Sequence, residues 1–189
     1  LLFSDQTQFI LDGSTNLTPS NVAVTVTTEY ENNTALVKPV GTGSNVFFSY
    51  NRGSYSGFRE YYVESDGETN RGEDITANIP KYIPSNLFKI ALANNDNTLV
   101  ALSSTSTENH RLYVYQWFYA DGKRLQSSWH QWEFGANSNT TILNVDFIGS
   151  TLYLLIERSD GVYIETMDVS PATVDNSAQY LTHLDINNL

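Results

Sequence analysis

Alternation of apolar and polar residues, interrupted at short intervals by turn residues, is the feature that most constrains this chain. Between Val22 and Tyr30, the side chains Val22, Val24 and Val26 fall on one face of an extended strand and threonines fall on the other. A period of two is that of a β-strand, whose successive side chains point to opposite faces. The pattern predicts a half-buried strand over residues 22–30.

The same signal recurs along most of the chain. Aromatic and β-branched side chains, which suit a pleated and half-buried surface, are frequent in these segments. Further strands are predicted over residues 9–11, 46–50, 58–64, 87–93, 99–103, 111–119, 127–134, 142–148, 152–157 and 162–169.

Turn chemistry separates several of these segments. An Asp-Gly pair readily takes the positive φ angles of a tight hairpin turn, and such pairs stand at Asp12-Gly13, Asp66-Gly67, Asp121-Gly122 and Asp160-Gly161. No amphipathic helix longer than two turns is predicted, although residues 87–92 and 178–184 each suit a single helical turn. The fold class is therefore predicted to be all-β.

Strand pairs repeat at a nearly constant interval. Openings at Asn45, Asn97 and Ser150 lie just over 50 residues apart, and each leads into an apolar strand and then a more aromatic one. A period of roughly 40–50 residues with about four strands per unit is typical of a β-propeller blade, whereas a β-sandwich also uses many short strands. We predict a partial β-propeller-like domain of three to four blades over residues 1–169, followed by a connector over 170–189. A β-sandwich is the alternative.

The composition excludes several classes of protein. With 10 Lys and Arg against 21 Asp and Glu, the net charge is −11, which argues against a surface that grips phosphates. The chain has no Cys, which excludes a disulfide scaffold and a thiolate metal site. No signal peptide is visible, and no apolar run approaches the ~20 residues of a membrane helix.

The sequence offers little from which to build an active site. His110, His130 and His183 have no acidic or His neighbour at metal-ligand spacing. There is no nucleophile elbow, and the Gly41–Ser44 run precedes a strand rather than the helix that a phosphate cradle needs. We therefore predict no catalytic residue, no metal, no cofactor and no enzymatic activity.

One acidic stretch is a weaker candidate site. Carboxylates in a loop can bind Ca²⁺, but this stretch lacks the full alternating ligand pattern and has Arg71 in its middle, so a solvated loop is the simpler interpretation. Its members are Glu64, Asp66, Glu68, Glu73 and Asp74.

Aromatic residues cluster in the two strands around residues 111–134. Such a cluster suits either a carbohydrate platform or a core, and facing aromatic pairs across a hairpin stabilise a sheet directly. Because burying each ring is worth about 1.5–3 kcal/mol, a core or a subunit interface is favoured. The candidate core or interface residues are Tyr113, Tyr115, Trp117, Trp129 and Trp132.

An ordered set of segments resembles one protein family, the tail nozzle proteins (tail tubular protein B) of T7-like short-tailed bacteriophages. The resemblance covers nearly the whole chain, but members of that family are several times longer, so we expect this chain to be an internal piece. The segments are residues 2–9 (LFSDQTQF), 17–19 (LTP), 38–41 (KPVG), 45–48 (NVFF), 59–63 (REYYV), 74–84 (DITANIPKYIP), 112–115 (LYVY), 125–129 (LQSSW), 132–134 (WEF) and 152–158 (LYLLIER).

The resemblance implies a structural role in the virion. It implies a homohexameric ring at the distal end of a short tail, attached beneath the ring of tail tubular protein A, with phage DNA held back and then released through a central channel. Two alternatives remain open: a carbohydrate-binding or glycan-degrading β-propeller at the host surface, and an extracellular adhesion module.

Overall fold

A computed structural model describes residues 1–12, 18–33, 36–43, 45–64, 67, 69–120, 123–135 and 139–170. These residues form fourteen strands in four antiparallel sheets, which we name A to D. Sheet A contains β1 (Leu2–Phe3), β2 (Gln8–Asp12) and β3 (Ala23–Thr28). Sheet B contains β4 (Val40–Thr42), β5 (Asn45–Arg52), β6 (Tyr55–Val63) and β7 (Asn70–Asp74). Sheet C contains β8 (Leu87–Ala93), β9 (Thr98–Ser103), β10 (Arg111–Ala120) and β11 (Lys123–Glu133). Sheet D contains β12 (Thr140–Ile148), β13 (Thr151–Arg158) and β14 (Gly161–Asp168).

Every sheet is a meander, because each strand pairs with the strand that precedes or follows it in the chain. Short turns allow this. Arg52 pairs with Tyr55 and Ile148 pairs with Thr151 across two-residue turns. In these turns Gly53 and Gly149 have φ angles of 64° and 62°, a conformation that glycine adopts without the steric cost a Cβ would bring.

The predicted repeat corresponds to equivalent strands of successive sheets. The three predicted openings coincide with β5, β9 and β13, and the three predicted closings coincide with β6, β10 and β14. These are the second and third strands of sheets B, C and D. One repeat is therefore one sheet, and four sheets rather than two exclude a two-sheet sandwich for the described residues.

The sheets stack in the order A, B, C, D. Phe3 of sheet A packs edge-on against Phe48 of sheet B, with ring centroids 5.2 Å apart. One buried cluster joins sheets B and C, and a second joins sheets C and D. Sheet C is covered on both faces, and all six residues of β9 are buried.

The first strands of sheets B, C and D lie along one side of the stack, where β8 is next to both β4 and β12. On the opposite side β3 lies beside β7, the last strand of sheet B. Successive blades of a β-propeller also place equivalent strands side by side. Closure of these four sheets around a central axis stays a prediction.

The prediction of all-β structure is confirmed, and all eleven predicted strands are present. The possible helical turn at residues 87–92 is wrong, because those residues form β8, which pairs along its length with β9. Residues 178–184, the predicted connector beyond residue 170 and the turns at Gly13, Asp66 and 121–122 lie outside the described residues.

The strand predicted over residues 22–30 is present as β3, but its valine face is not buried, since Val24 is 58% and Val26 is 53% exposed. The physical reason is position, because sheet A ends the stack and its valine face has no described neighbour.

Candidate functional site: the junction of sheets B and C

Four of the five predicted aromatic residues lie in the junction between sheets B and C. Tyr113, Tyr115 and Trp117 alternate along β10, so all three side chains point to the same face, and each is at most 7% exposed. Trp129 of β11 lies opposite Tyr115 in the strand register. Their rings have centroids 5.0 Å apart.

Sheet B supplies the other half of this aromatic cluster. Phe47 lies 5.0 Å from Trp117, and Phe58 lies 5.1 Å from Trp129, measured between ring centroids. The Trp129 indole N–H donates a hydrogen bond of 3.0 Å to the Ile75 carbonyl, so its polar atom is satisfied. Contacts of this kind hold two sheets in a fixed relation rather than present rings to a ligand.

The fifth predicted residue, Trp132, lies in the other junction. It stands opposite Leu112 in the register and packs partly buried against the cluster between sheets C and D. The predicted set therefore spans both faces of sheet C. Whether any member contacts a second subunit stays a prediction.

A polar network lies next to the aromatic cluster and crosses the same junction. Glu60 of sheet B is only 2% exposed, and it accepts hydrogen bonds from Asn45 at 2.7 Å and from the Tyr119 hydroxyl at 3.0 Å. Arg124 of sheet C forms ion pairs with both Glu60 and Glu73. Burial and the adjacent Glu60 carboxylate together raise the pKa of Tyr119.

Sequence reasoning missed this network, although two signals for it were present. Glu60 is two residues from Phe58 along an alternating strand, so it falls on the core face, where a lone carboxylate needs a partner. A tight turn at Asp121-Gly122 implies that Arg124 stands opposite Tyr119, the pairing observed.

A shallow cleft of about 600 Å³ opens beside the network. Its lining is mixed polar and aromatic, and the carboxylate of Glu73 at its wall is held by Arg124. Among the described lining residues, no carboxylate stands free to act as an acid or base. The lining residues are Thr42, Asn45, Tyr62, Val63, Glu73, Asn97, Trp117, Tyr119 and Arg124.

The described carboxylates of the predicted acidic stretch are used in ion pairs. Glu64 pairs with Arg71, Glu73 with Arg124, and Asp74 with Arg52 at 2.8 Å. Asp66 and Glu68 lie outside the described residues. Within the described ranges, no group of three or more His, Asp or Glu side chains could hold a metal ion.

The histidines also lie apart from one another. His110 is fully buried in the turn immediately before β10, with its Nε2 atom 3.8 Å from a Glu133 oxygen. His130 lies in β11 with its ring 5.8 Å from that of Trp132. His183 is outside the described residues.

All six arginine side chains of the chain lie within the described residues and are engaged by neighbouring groups. Arg52, Arg71, Arg111, Arg124 and Arg158 form ion pairs with carboxylates. The Arg59 guanidinium lies 4.5 Å from the centre of the Tyr30 ring and donates to the Gly72 carbonyl at 2.8 Å. The described surface therefore carries few cations available to a phosphate backbone.

Helices capable of spanning a membrane are absent from the described part of the chain. This finding concerns helices alone.

Comparison with known proteins gives a consistent result. The sequence profile of the bacteriophage nozzle protein family matches residues 1–188. Tail tubular protein gp12 of Escherichia phage T7 is 28% identical over 176 residues, which cover 93% of this chain but 22% of that protein. The chain thus spans about a fifth of the length of this relative. Because the family profile matches nearly the whole chain, the chain belongs to the bacteriophage nozzle protein family and is a structural protein of the phage tail.

Proposed function

We propose that this chain is part of a ring-forming subunit of the tail nozzle, through which DNA leaves the virion. The observation that carries the proposal is the family match over residues 1–188. Rings follow when one surface of a subunit binds a different surface of the next and the rotation closes. In the T7-like form of this proposal, six subunits form the ring and it attaches to the ring of tail tubular protein A.

The charge distribution supports a channel that DNA crosses without being gripped. Affinity for DNA comes largely from Lys and Arg that neutralise phosphates. Here the net charge is −11, and most described arginines are paired with carboxylates, for example Arg158 with Glu165 at 2.7 Å. We propose that contact with DNA is transient and independent of sequence.

We also propose that the role is structural and not enzymatic. The Glu60 and Glu73 carboxylates at the junction of sheets B and C form ion pairs with Arg124, and these ion pairs hold the two sheets together. The sugar-binding alternative loses its main motivation, because Tyr113 and Tyr115 are at most 2% exposed and have no free ring face.

Electron microscopy of the purified full-length protein tests ring formation. Class averages with one closed rotational symmetry are expected, and six-fold averages would support the T7-like form. A protein that stays monomeric at high concentration, both alone and mixed with its adaptor protein, would contradict the proposal.

A further inference from the structure

The cleft beside the Glu60–Arg124 network lies where several strands of sheets B and C end. Thr42 is the last residue of β4, Asn97 directly precedes β9, and Tyr119 is the second-last residue of β10. Strand ends and loops on a rigid scaffold are the usual position of binding residues. A volume of about 600 Å³ is within the range of small-ligand sites. The cleft therefore has the position and the size of a ligand site.

Hydrogen bonds hold the walls of the cleft in place. The Tyr119 hydroxyl donates to Glu60 at 3.0 Å, and the side-chain amide of Asn45 donates to the same carboxylate at 2.7 Å. The backbone N–H of Trp117 donates to the Asn97 carbonyl at 3.2 Å. Because these residues are already ordered, a ligand would bind with little additional loss of side-chain entropy.

Other polar groups that line the cleft are available to a ligand. No hydrogen bond of the Thr42 hydroxyl, the Tyr62 hydroxyl or the Asn97 side-chain amide occurs within the described part of the chain. Amide and hydroxyl groups of this kind both donate and accept. The ring of Tyr119, which is 38% exposed, and the partly exposed ring of Tyr62 line the same cleft. The cleft therefore combines aromatic surface with unused hydrogen-bonding groups.

The charged groups of the cleft neutralise one another. Arg124 is the one cation among the described lining residues, and it forms ion pairs with Glu73 and with the buried Glu60. A phosphate or carboxylate group would have to compete with both of these carboxylates for Arg124. A cationic ligand would have to compete with Arg124 for Glu73. The site therefore favours a ligand without net charge.

We propose that this cleft binds a neutral saccharide of about one to two pyranose units. The apolar face of a pyranose ring packs on an aromatic ring such as that of Tyr62 or Tyr119. The sugar hydroxyls match the side chains of Asn97 and Thr42, which both donate and accept. These tyrosine rings are exposed, unlike the buried tyrosines of β10 in the aromatic cluster. The proposal does not depend on ring formation.

Saturation-transfer difference NMR on the full-length protein tests this proposal. The neutral probes are methyl α-glucoside, methyl β-galactoside, maltose and lactose, and glucose 6-phosphate is the anionic comparison. Tyr62→Leu removes an aromatic ring from the cleft. Asn97→Gly removes the amide and places at this position a residue that tolerates its φ of 48°. Tyr163→Leu, at a tyrosine of β14 that is 43% exposed, is the control outside the cleft.

We expect saturation transfer to at least one neutral probe, with a dissociation constant on the order of 1 mM for so small a ligand. Tyr62→Leu and Asn97→Gly are each expected to weaken this binding about tenfold, because each removes one ring contact or one hydrogen bond. Tyr163→Leu is expected to bind as the unmodified protein does. Glucose 6-phosphate is expected to bind more weakly than the neutral probes.

Absence of saturation transfer to every neutral probe would overturn the proposal. Binding that Tyr62→Leu and Asn97→Gly leave unchanged would overturn it as well, because the saccharide would then lie elsewhere on the protein. Tighter binding of glucose 6-phosphate than of the glucoside would contradict the assignment of a neutral ligand. Thermal unfolding checks that each variant is folded, and Thr42→Val, which exchanges a hydroxyl for a methyl group, replaces a variant that is not.

Discussion

At the residue scale, Glu60 and Arg124 form an ion pair whose carboxylate is almost completely buried between two sheets. The Glu60 carboxylate is 2% exposed and needs protein partners in place of water, and Arg124 is its one cationic partner among the described ion pairs. The pair also joins sheets B and C, so its loss acts at the junction that carries most of the aromatic packing.

Replacing Arg124 is therefore expected to destabilise the folded protein strongly. We expect Arg124→Met to lower the free energy of unfolding by about 3–5 kcal/mol, because it leaves a buried charge without its partner. Chemical denaturation of the folded protein measures the change. The control is Arg71→Met, which breaks an ion pair whose Arg side chain is 59% exposed, and about 0–1 kcal/mol is expected. Equal effects of the two substitutions would contradict this assignment.

Position 57 requires glycine because the Tyr50 ring packs directly on it. A Cβ at this position would overlap the Tyr50 ring, and the Tyr50 hydroxyl is held in place by the hydrogen bond of 2.6 Å that it donates to Asp74. We expect Gly57→Ala to cost about 1–3 kcal/mol of unfolding free energy, as overpacking does. The nearest atom to a Cβ at Gly41 is 3.8 Å away, so Gly41→Ala is the control and is expected to be near neutral. Chemical denaturation measures the unfolding free energy of both variants.

Asp74 makes part of the stability depend on pH. Burial raises the pKa of its carboxyl, but hydrogen bonds from Tyr50 and Thr76 and the charge of Arg52 outweigh burial, so the pKa lies below its usual value of 3.8. Because the pKa of Asp74 is lower in the folded than in the unfolded state, its ionised form stabilises the fold at any pH above the unfolded-state pKa. This stabilisation is lost as the pH falls through the folded-state pKa.

We expect Asp74→Asn to be destabilising by about 1–3 kcal/mol at pH 7, from the loss of charge-assisted hydrogen bonds. The difference from the unmodified protein is expected to shrink as the pH falls below about 4. Urea unfolding at pH 7 and pH 3 measures it. A difference that stays constant or grows toward acid would show that the carboxylate charge contributes nothing.

At the element scale, β9 lies at the centre of the stack. All six of its residues are buried, and it pairs with β8 on one side and β10 on the other. We expect Leu102→Ala to cost about 2–5 kcal/mol, because it removes buried methyl groups and leaves a cavity. Leu125→Ala, at a side chain that is 64% exposed, is the control and should change the unfolding free energy by less than about 0.5 kcal/mol.

Elements were predicted well wherever the alternation of side chains was long. Strands such as β10 and β13 follow directly from their period of two, and the repeat marked the second and third strands of sheets B, C and D. Three short strands, β1, β4 and β7, were missed, because two to five residues cannot establish a period. Residues 87–92 suited either a strand or a helical turn for the same reason.

Surface and core could be predicted less well than strand positions. A period of two indicates that the two faces of a strand differ in polarity. Which face is buried depends on what packs against it, and the exposed valines of β3 are an example. The sequence signals place Glu60 on a core face and Arg124 opposite Tyr119. Neither signal says that these two residues, 64 positions apart in the chain, meet when sheets B and C pack together.

At the scale of the whole molecule, the acidic balance predicts poor binding to DNA. Double-stranded DNA repels a surface with net charge −11 unless cations are concentrated on one face. We expect the 189-residue chain, to which this net charge belongs, to show no binding to a 30-base-pair duplex at about 150 mM salt, as measured by fluorescence anisotropy. Tight binding whose logarithm falls steeply with salt concentration would show a cationic surface that the described residues lack.

We propose that this chain is a structural part of the tail nozzle at the distal end of the tail. A cryo-electron microscopy map of the intact virion is the most direct test of this proposal. We expect the four-sheet stack of residues 1–170 to fit density in the distal ring of the tail, repeated around the tail axis. A fit only to capsid, fibre or internal core density, with none in the distal ring, would contradict it.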